Sequence, residues 1–288
     1  MIKVAVGQIC SLASLPRNAN IIKKLIKAAR KSEVEILFLP EASDYLSKNA
    51  QHSLELSSTV YTDFLNEIQA EVRRGKGPHI FIGIHEPSGE RVRNNHIWIS
   101  PLGEIEARYQ KIHLFDVDIP NGPILKESNS VEPGNTVVPP VSIGPLNIGL
   151  GICYDIRFPE LALRLRTLGA NVLTYPLAFT TTTGKAHWKV LAQARALDTQ
   201  CFVILAAQCG EHDVDAPTKR ESYGQSLIID PWGEVVVECS TYTDRGPVDE
   251  DGDYYELGVA ELDMDKLEKV RENMPLWKHK RDDVFGKP

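Results

Sequence analysis

The chain has 288 residues, of which 42% are hydrophobic, and its formal net charge is −7. These values are ordinary for a globular protein with one large core or two modest ones. Charges of both signs are well mixed, and no lysine or arginine cluster is present that could hold a phosphate backbone, so nucleic acid is excluded as a partner.

No apolar run approaches the roughly 18 residues that span a bilayer. Residues 2–6 (Ile-Lys-Val-Ala-Val) begin the chain without a basic segment and a cleavage site. We therefore expect a cytoplasmic protein with no membrane partner. The cysteines are odd in number and form no Cys-x-x-Cys pair, which fits a reducing compartment and predicts no metal site. They are Cys10, Cys153, Cys201, Cys209 and Cys239.

The first part of the chain reads as a strand, a helix and a second strand. An apolar run at residues 2–9 predicts a strand, and the apolar positions 21, 22, 25, 26 and 29 fall on one helical face. Residues 35–39 predict a strand that ends at Pro40 and Glu41.

The same order returns in the second part, with strands at 147–153 and 171–175 around a helix at 161–168. Each part then continues with a helix (59–73; 186–197), an apolar strand (79–84; 202–206) and a hairpin turn of sequence Pro-x-Gly-Glu (101–104; 231–234). This repetition predicts two similar half-sheets packed face to face with helices outside, a four-layer α-β-β-α sandwich that forms a single domain over residues 1–288.

Ligands in such folds lie beyond the carboxyl ends of strands, where Glu41 and Cys153 both occur. Cys153 closes an apolar strand and precedes the helix start at residues 158–160 (Phe-Pro-Glu), so a helix N-terminus would favour its thiolate. A cysteine at the end of a buried strand is also compatible with simple packing.

Glu41 follows an apolar strand directly, and partial burial there would raise its pKa into a range useful for proton transfer. Lys111 ends the strand predicted at 104–110. Taken separately, a solvated loop glutamate and an exposed lysine are the alternatives. Together with Cys153 they supply what amide cleavage needs, namely a nucleophile, a proton shuttle and a cation near the developing oxyanion.

Other segments of the sequence give weaker indications of other functions. Residues 149–151 (Gly-Leu-Gly) lack the third glycine of a dinucleotide loop, and the acidic run 249–253 lacks the spaced ligands of a calcium loop. We interpret that run, and the segment of Cys209, His212 and Asp213, as solvated loops. A dyad of Cys153 with a histidine such as His113 or His187 stays open as an alternative.

Three short segments resemble the motifs of the nitrilase superfamily, in the order expected there. They are residues 39–42 (Leu-Pro-Glu-Ala), 109–113 (Tyr-Gln-Lys-Ile-His) and 151–155 (Gly-Ile-Cys-Tyr-Asp). The resemblance implies the αββα sandwich, Glu41 as general base and acid, Lys111 as support for the tetrahedral intermediate and Cys153 as the acylated nucleophile. It also matches Glu127 to a second carboxylate beside the catalytic lysine, and it implies no cofactor.

Nearly the whole chain resembles the branch that contains deaminated glutathione amidase, notably at 153–160, 208–210 and 220–224. Gln225 departs from the histidine expected there. Members of this branch commonly form homodimers. The resemblance implies cleavage of a small α-keto-acid amide to α-ketoglutarate and cysteinylglycine. Arg157 could bind the keto-acid carboxylate through two prongs, unless it pairs with Asp155 or Glu160, and Phe179 and Thr183 would line the same pocket.

Two other interpretations remain. The first is omega-amidase activity on α-ketoglutaramate, which shares the keto-acid half of the substrate. The second is a catalytically silent binding or scaffold protein, since a fold does not guarantee chemistry.

Overall fold

The computed structural model describes residues 1–75, 77–118, 124–212 and 220–286. Its strands are β1 (Ile2–Ile9), β2 (Ile36–Phe38), β3 (His79–Ser88), β4 (Arg91–Ile99), β5 (Ile105–Gln110), β6 (Asp116–Asp118), β7 (Ile124–Lys126), β8 (Val141–Ile143), β9 (Leu146–Leu150), β10 (Val172–Leu177), β11 (Phe202–Ala207), β12 (Cys209–His212), β13 (Arg220–Tyr223), β14 (Leu227–Ile229), β15 (Val235–Glu238) and β16 (Tyr255–Leu262). Its helices are α1 (Leu15–Lys31), α2 (Ala50–Ser57), α3 (Asn66–Arg74), α4 (Pro159–Thr167), α5 (Thr181–Thr199), α6 (Met264–Asn273), α7 (Leu276–His279) and α8 (Asp282–Phe285).

Two large sheets share one arrangement of strands. The first has the order β16-β1-β2-β3-β4-β5, and the second has the order β15-β14-β11-β10-β9-β8. In the first sheet β1, β2 and β3 are parallel, whereas β16 and β4 pair antiparallel at either side. In the second sheet β9, β10 and β11 are parallel, with β8 and β14 antiparallel at either side. The predicted recurrence of two similar halves is therefore confirmed.

The layers follow from the alternation of side chains along each strand. Val4 and Phe38 of the first sheet lie in the same apolar cluster as Ile148 of the second, so this cluster is the core between the sheets. Their neighbours on the opposite face of the strands, such as Leu37, pack instead with Leu25 of α1. Strands buried on both faces read as continuous apolar runs, and the α-β-β-α sandwich is confirmed.

Several predicted boundaries change in the structure. The helix predicted at 59–73 is a π-helical segment, Tyr61–Leu65, continued by α3. The strand predicted at 147–153 stops at Leu150, and Cys153–Arg157 is a separate 3-10 turn. Within the described ranges, no helix is both long and apolar enough to cross a membrane.

The two segments interpreted as solvated loops are not simply solvated. Asp249, Asp251 and Asp253 converge on the ammonium group of Lys24, at 2.7, 2.7 and 2.9 Å. Cys209 and His212 are buried in β12, which pairs with β13. Asp213 lies outside the described residues. The first correction arises from a charge partner more than 200 positions away in the chain, which local composition does not reveal.

Candidate active site

The side chains of Glu41, Lys111, Glu127 and Cys153 meet at one place although they follow four different elements. The Lys111 Nζ atom lies 3.0 Å from Glu41 Oε1 and 2.9 Å from each carboxylate oxygen of Glu127. Glu41 and Cys153 are close enough for the side chain of each to shift the pKa of the other. Lys111 is 2% exposed, so the alternative of an exposed strand-end charge is wrong.

Glu41 is fixed by close backbone packing at the end of β2. A side chain on Gly83 of β3 would place its Cβ only 2.5 Å from the Cα of Glu41, so glycine is needed there. The Gly83 amide donates to the Pro40 carbonyl at 3.0 Å. From the second half of the chain, Gln208 Nε2 donates to the Glu41 carbonyl at 2.9 Å. Contacts from both halves of the chain therefore fix the backbone of Glu41 and so position its carboxylate.

Cys153 stands on a sharp turn after β9. Its φ of 45° lies in the left-handed region, which non-glycine residues seldom adopt and which is common at functional sites. The turn is possible because Gly151 carries no side chain: a Cβ there would lie 2.5 Å from the ring of Tyr175. The sulfur also interacts with the backbone of Ala178, just after β10.

Asp155 connects the Cys153 turn to the loop that carries Lys111. Its Oδ2 atom accepts from the Ile152 amide at 2.9 Å and from the Tyr109 hydroxyl at 2.8 Å, and Oδ1 accepts from the His113 amide at 3.1 Å. The His113 ring also faces this carboxylate, with Nδ1 at 2.7 Å. Asp155 is fully buried, and sequence reasoning did not identify it as a positioning residue.

The charges of the cluster support one another. Burial raises the pKa of Glu41, but Lys111 and hydrogen bonds from Cys153, Lys111 and Asn94 outweigh it, so the net pKa is lowered. Burial lowers the pKa of Lys111, but Glu41 and Glu127 hold it well above its usual range. The expectation of a raised pKa for Glu41 was wrong because it considered burial alone. At neutral pH the pair is ionised.

The thiol behaves in the opposite way. Burial and the negative charge of Glu41 raise the pKa of Cys153 well above its ordinary value, against the influence of Lys111. The expectation that a helix N-terminus favours the thiolate was wrong, because Cys153 begins a five-residue 3-10 turn rather than α4. The resting site therefore holds a neutral thiol beside an ionised carboxylate, an arrangement in which the carboxylate can accept the proton of the thiol.

Asn94 is a further member of this cluster, and sequence reasoning missed it. Its Nδ2 atom donates to Glu41 Oε1 at 2.7 Å and to Glu127 Oε1 at 3.3 Å. The residue lies on β4, 53 positions from Glu41 in the chain and inside no recognisable motif. No local sequence signal would have identified it.

Arg157 lies on the same turn as Cys153, four positions further along. Both of its Nη atoms lie 3.3 Å from Nδ1 of His187, and its guanidinium stands 5.3 Å from the ring centre of Phe179. Among the described residues it forms no ion pair with Asp155 or Glu160, so the structural alternative for Arg157 is not supported. The first turn of α5 holds Thr183, whose hydroxyl contacts Thr180 at 2.9 Å.

The histidine alternatives find no support in these contacts. His113 faces Asp155 and stacks on Phe158 with ring centres 3.7 Å apart, while His187 faces Arg157. Neither has a hydrogen bond to Cys153 in the part of the chain that the structure describes. The carboxylate of Glu41 occupies the position that a dyad histidine would need.

Arg220 begins β13 and is exposed to solvent. Burial among surrounding protein atoms nevertheless lowers its pKa, while Glu41, Cys153 and Glu127 act on it in the opposite direction. Within the described ranges no carboxylate forms an ion pair with it.

The described residues contain one group of three possible metal ligands, Asp249, Asp251 and Asp253. The ammonium of Lys24 lies within 2.9 Å of all three, and these carboxylates together hold its pKa above the ordinary value although burial lowers it. The group is remote in the chain from the Cys153 cluster, and nothing in the cluster itself has the ligand set of a metal centre.

A partly buried cysteine beside a buried glutamate and lysine, at the strand ends of an α-β-β-α sandwich, defines a class of hydrolases acting through a thiol. The Carbon-nitrogen hydrolase family model matches residues 3–272. The chain belongs to this family, within the nitrilase superfamily, and is an enzyme that hydrolyses carbon–nitrogen amide bonds.

Individual relatives cover almost all of the chain. Probable hydrolase nit2 of Schizosaccharomyces pombe is 42% identical over 291 residues, which cover 99% of both chains. Deaminated glutathione amidase of Mus musculus is 39% identical over 289 residues, which cover 98% of this chain and 84% of the relative. The crystal structure of the Caenorhabditis elegans NitFhit protein matches with a TM-score of 0.88 at 35% identity, over 98% of this chain and 66% of that one.

Proposed function

We propose that this enzyme hydrolyses the side-chain amide of deaminated glutathione and releases α-ketoglutarate and cysteinylglycine. The observation that carries the proposal is the placement of Arg157 on the same turn as Cys153, with a guanidinium that forms no ion pair with a carboxylate among the described residues. Full-length relatives named deaminated glutathione amidase support it. An anionic keto-acid bound at Arg157 would present its amide carbonyl to the thiol.

In the first half of the proposed reaction, Glu41 takes the proton of the Cys153 thiol as the sulfur attacks the amide carbon. Lys111 stabilises the oxyanion that forms. The carbon–nitrogen bond then breaks, Glu41 returns the proton to the departing amine, and cysteinylglycine leaves a thioester on Cys153. The ionised carboxylate and neutral thiol of the resting site are the protonation states that this step requires.

In the second half, Glu41 takes a proton from water as the water oxygen attacks the thioester. The carbon–sulfur bond breaks, α-ketoglutarate is released and the thiol of Cys153 regains its proton. Glu127 keeps Lys111 in place through both of its oxygens during the two halves. All of these transfers use groups of the chain and water, so the proposal includes no cofactor.

Arg157 holds the keto-acid carboxylate in this proposal, with Phe179 and Thr183 lining the pocket. The contact of the Phe179 ring with Arg157 restricts the guanidinium, and the same ring meets Trp188 edge-to-face with ring centres 5.1 Å apart. Planar two-pronged contact with a carboxylate is a property of arginine that lysine lacks.

Arg220 has a matching role at the other end of the substrate. Two residues of extended peptide span about 7 Å, which is the length of the cysteinylglycine leaving group beyond the scissile carbonyl. An accessible cation that experiences the charges of Glu41 and Cys153 is suited to receive the terminal carboxylate of that group. The simple amide α-ketoglutaramate has no such carboxylate.

The direct test compares kcat/KM of the purified protein for deaminated glutathione and for α-ketoglutaramate. We expect the larger substrate to be preferred. A preference for α-ketoglutaramate would reject this substrate in favour of the omega-amidase alternative, which shares the contact with Arg157. Absence of turnover on both, with Cys153→Ala binding ligands as well as the wild type, would instead support a silent binding protein.

We also propose a cytoplasmic homodimer built from a single domain over residues 1–288. Val190 and Leu197 lie two turns apart on one face of α5 and are 65% and 50% exposed, and Trp232 is 50% exposed. Apolar surface of this kind is covered in many homodimers. Light scattering would detect the dimer, and Leu197→Asp should shift the mass toward the monomer.

A further inference from the structure

The Asn94 side chain contacts both carboxylates of the cluster, Glu41 and Glu127, and is itself uncharged. The side chain is 2% exposed and lies on β4, and its own carbonyl accepts the Lys111 amide at 2.9 Å. This backbone bond between Asn94 of β4 and Lys111, which follows β5, brings both side chains to the two carboxylates. Of these two donors, only lysine has an evident role in the family chemistry.

The orientation of the Asn94 amide is set by its partners. Ionised carboxylates only accept hydrogen bonds, so the two contacts at 2.7 and 3.3 Å must come from the NH₂ group rather than from the carbonyl. Each of its two hydrogens serves one glutamate. The NH₂ group thus gives the carboxylates of Glu41 and Glu127 a second common hydrogen-bond donor beside Lys111.

The two oxygens of Glu41 are not equivalent in this arrangement. Oε1 accepts from both Asn94 and Lys111, at 2.7 and 3.0 Å. Among the described residues, Oε2 accepts no hydrogen bond from a nitrogen donor, so this oxygen is available for proton transfer. Asn94 therefore restricts rotation of the carboxylate and leaves one oxygen for proton transfer.

The Asn94 side chain also destabilises the fold in one respect. Its Oδ1 atom is buried and has no hydrogen-bond partner within the described part of the chain. A buried acceptor without a hydrogen-bond partner destabilises the folded state. Positions where local rules are broken in this way are commonly those that serve function rather than folding.

We propose that Asn94 is a positioning residue for the reaction: it holds Glu41 ionised and turned so that Oε2 is the oxygen that exchanges protons with Cys153 and the leaving amine. This inference rests on the proposed role of Glu41 as base, but not on the identity of the amide substrate. It adds a neutral donor to the glutamate, lysine and cysteine of the family motifs.

The test compares Asn94→Leu with Asn95→Leu, a matched control on the same strand. Asn95 is 3% exposed and also donates to a glutamate, Glu86, but it points to the opposite face of β4. Two readouts are measured against pH: kcat/KM with whichever amide the wild type turns over, and the rate of Cys153 alkylation by iodoacetamide. The second readout needs no substrate, so it separates failure of this inference from failure of the substrate assignment.

Asn94→Leu should lower kcat/KM by about ten- to a hundredfold, as expected for loss of a hydrogen bond to a charged group. The acid limb of both profiles should move to higher pH, because removing a donor to an ionised carboxylate raises its pKa. Asn95→Leu should lose stability and keep the wild-type profile. If Asn94→Leu does not fold, Asn94→Ser, which also cannot span to both carboxylates, takes its place. An unshifted acid limb in the Asn94 variant, or the same shift in the Asn95 variant, would overturn the proposal.

Discussion

Lys111→Met removes the cation between a buried carboxylate, Glu41, and a partly buried one, Glu127, and keeps the length of the side chain. In the wild type the lysine side chain is 3% exposed and contacts Glu41 and Glu127 within 3.0 Å. Losing an oxyanion-stabilising charge typically slows turnover by about a hundred- to a thousandfold. Removing one partner of a buried ion pair also costs about 3–5 kcal/mol of folding free energy.

The stability loss should depend on pH in a defined direction. In the wild type the pKa of Glu41 is lowered, so this group contributes stability above its unfolded pKa and loses it as the pH falls. Without Lys111, burial and the neighbouring Glu127 dominate and raise the pKa. If the pKa of Glu41 is raised in the folded variant, the group contributes to stability at low pH. This contribution is lost as the pH rises through the pKa of the folded state. The deficit of Lys111→Met relative to wild type should therefore be larger at about pH 8 than at about pH 5.

The assay measures kcat/KM at matched folded fraction, together with urea unfolding at both pH values. Lys24→Met is the control, since Lys24 also binds several carboxylates but belongs to the group of Asp249, Asp251 and Asp253. Its turnover should equal that of the wild type. Near-normal turnover in folded Lys111→Met, or a stability deficit independent of pH, would refute the reasoning.

The two ends of the substrate give two further predictions. Arg157→Lys should raise KM for substrates that carry the α-keto-acid carboxylate, because lysine cannot make the planar two-pronged contact, and an equal loss on amides without that carboxylate would contradict this. Arg220→Gln should raise KM for deaminated glutathione and leave α-ketoglutaramate unaffected, and a comparable loss on both would remove Arg220 from the leaving-group site.

Much of the fold was predictable because its signals are local. The strand at residues 2–9 was predicted from an apolar run and the apolar face of α1 from helical spacing, both within short windows, and the structure confirms both. The three motifs predicted that Glu41, Lys111 and Cys153 would meet, and the structure brings them together. Their catalytic roles stay a prediction.

What could not be predicted depends on contacts between distant positions. The pKa of Glu41 is set by Lys111 and Asn94, which are 70 and 53 positions away. The burial of Glu41 could be predicted from the apolar strand before it, but its partners Lys111 and Asn94 could not. Cys153 was expected at a helix N-terminus. Instead it lies on a left-handed turn, which is possible because Gly151 has no side chain to collide with Tyr175, and the strand ends before this turn.

The central claim is that Cys153 is acylated by the amide and that Glu41 serves both halves of the reaction. Glu41→Gln keeps the shape of the side chain and removes its proton chemistry, so the acyl-enzyme should persist once formed. The measurement is intact and peptide mass spectrometry after acid quench of wild type and Glu41→Gln incubated with deaminated glutathione, with Glu41→Gln/Cys153→Ala as control. We predict one α-ketoglutaryl group on Cys153, which accumulates in Glu41→Gln and is absent from the control. Turnover by the wild type without an acyl group on Cys153 in either protein, or with the group on another cysteine, would contradict the account.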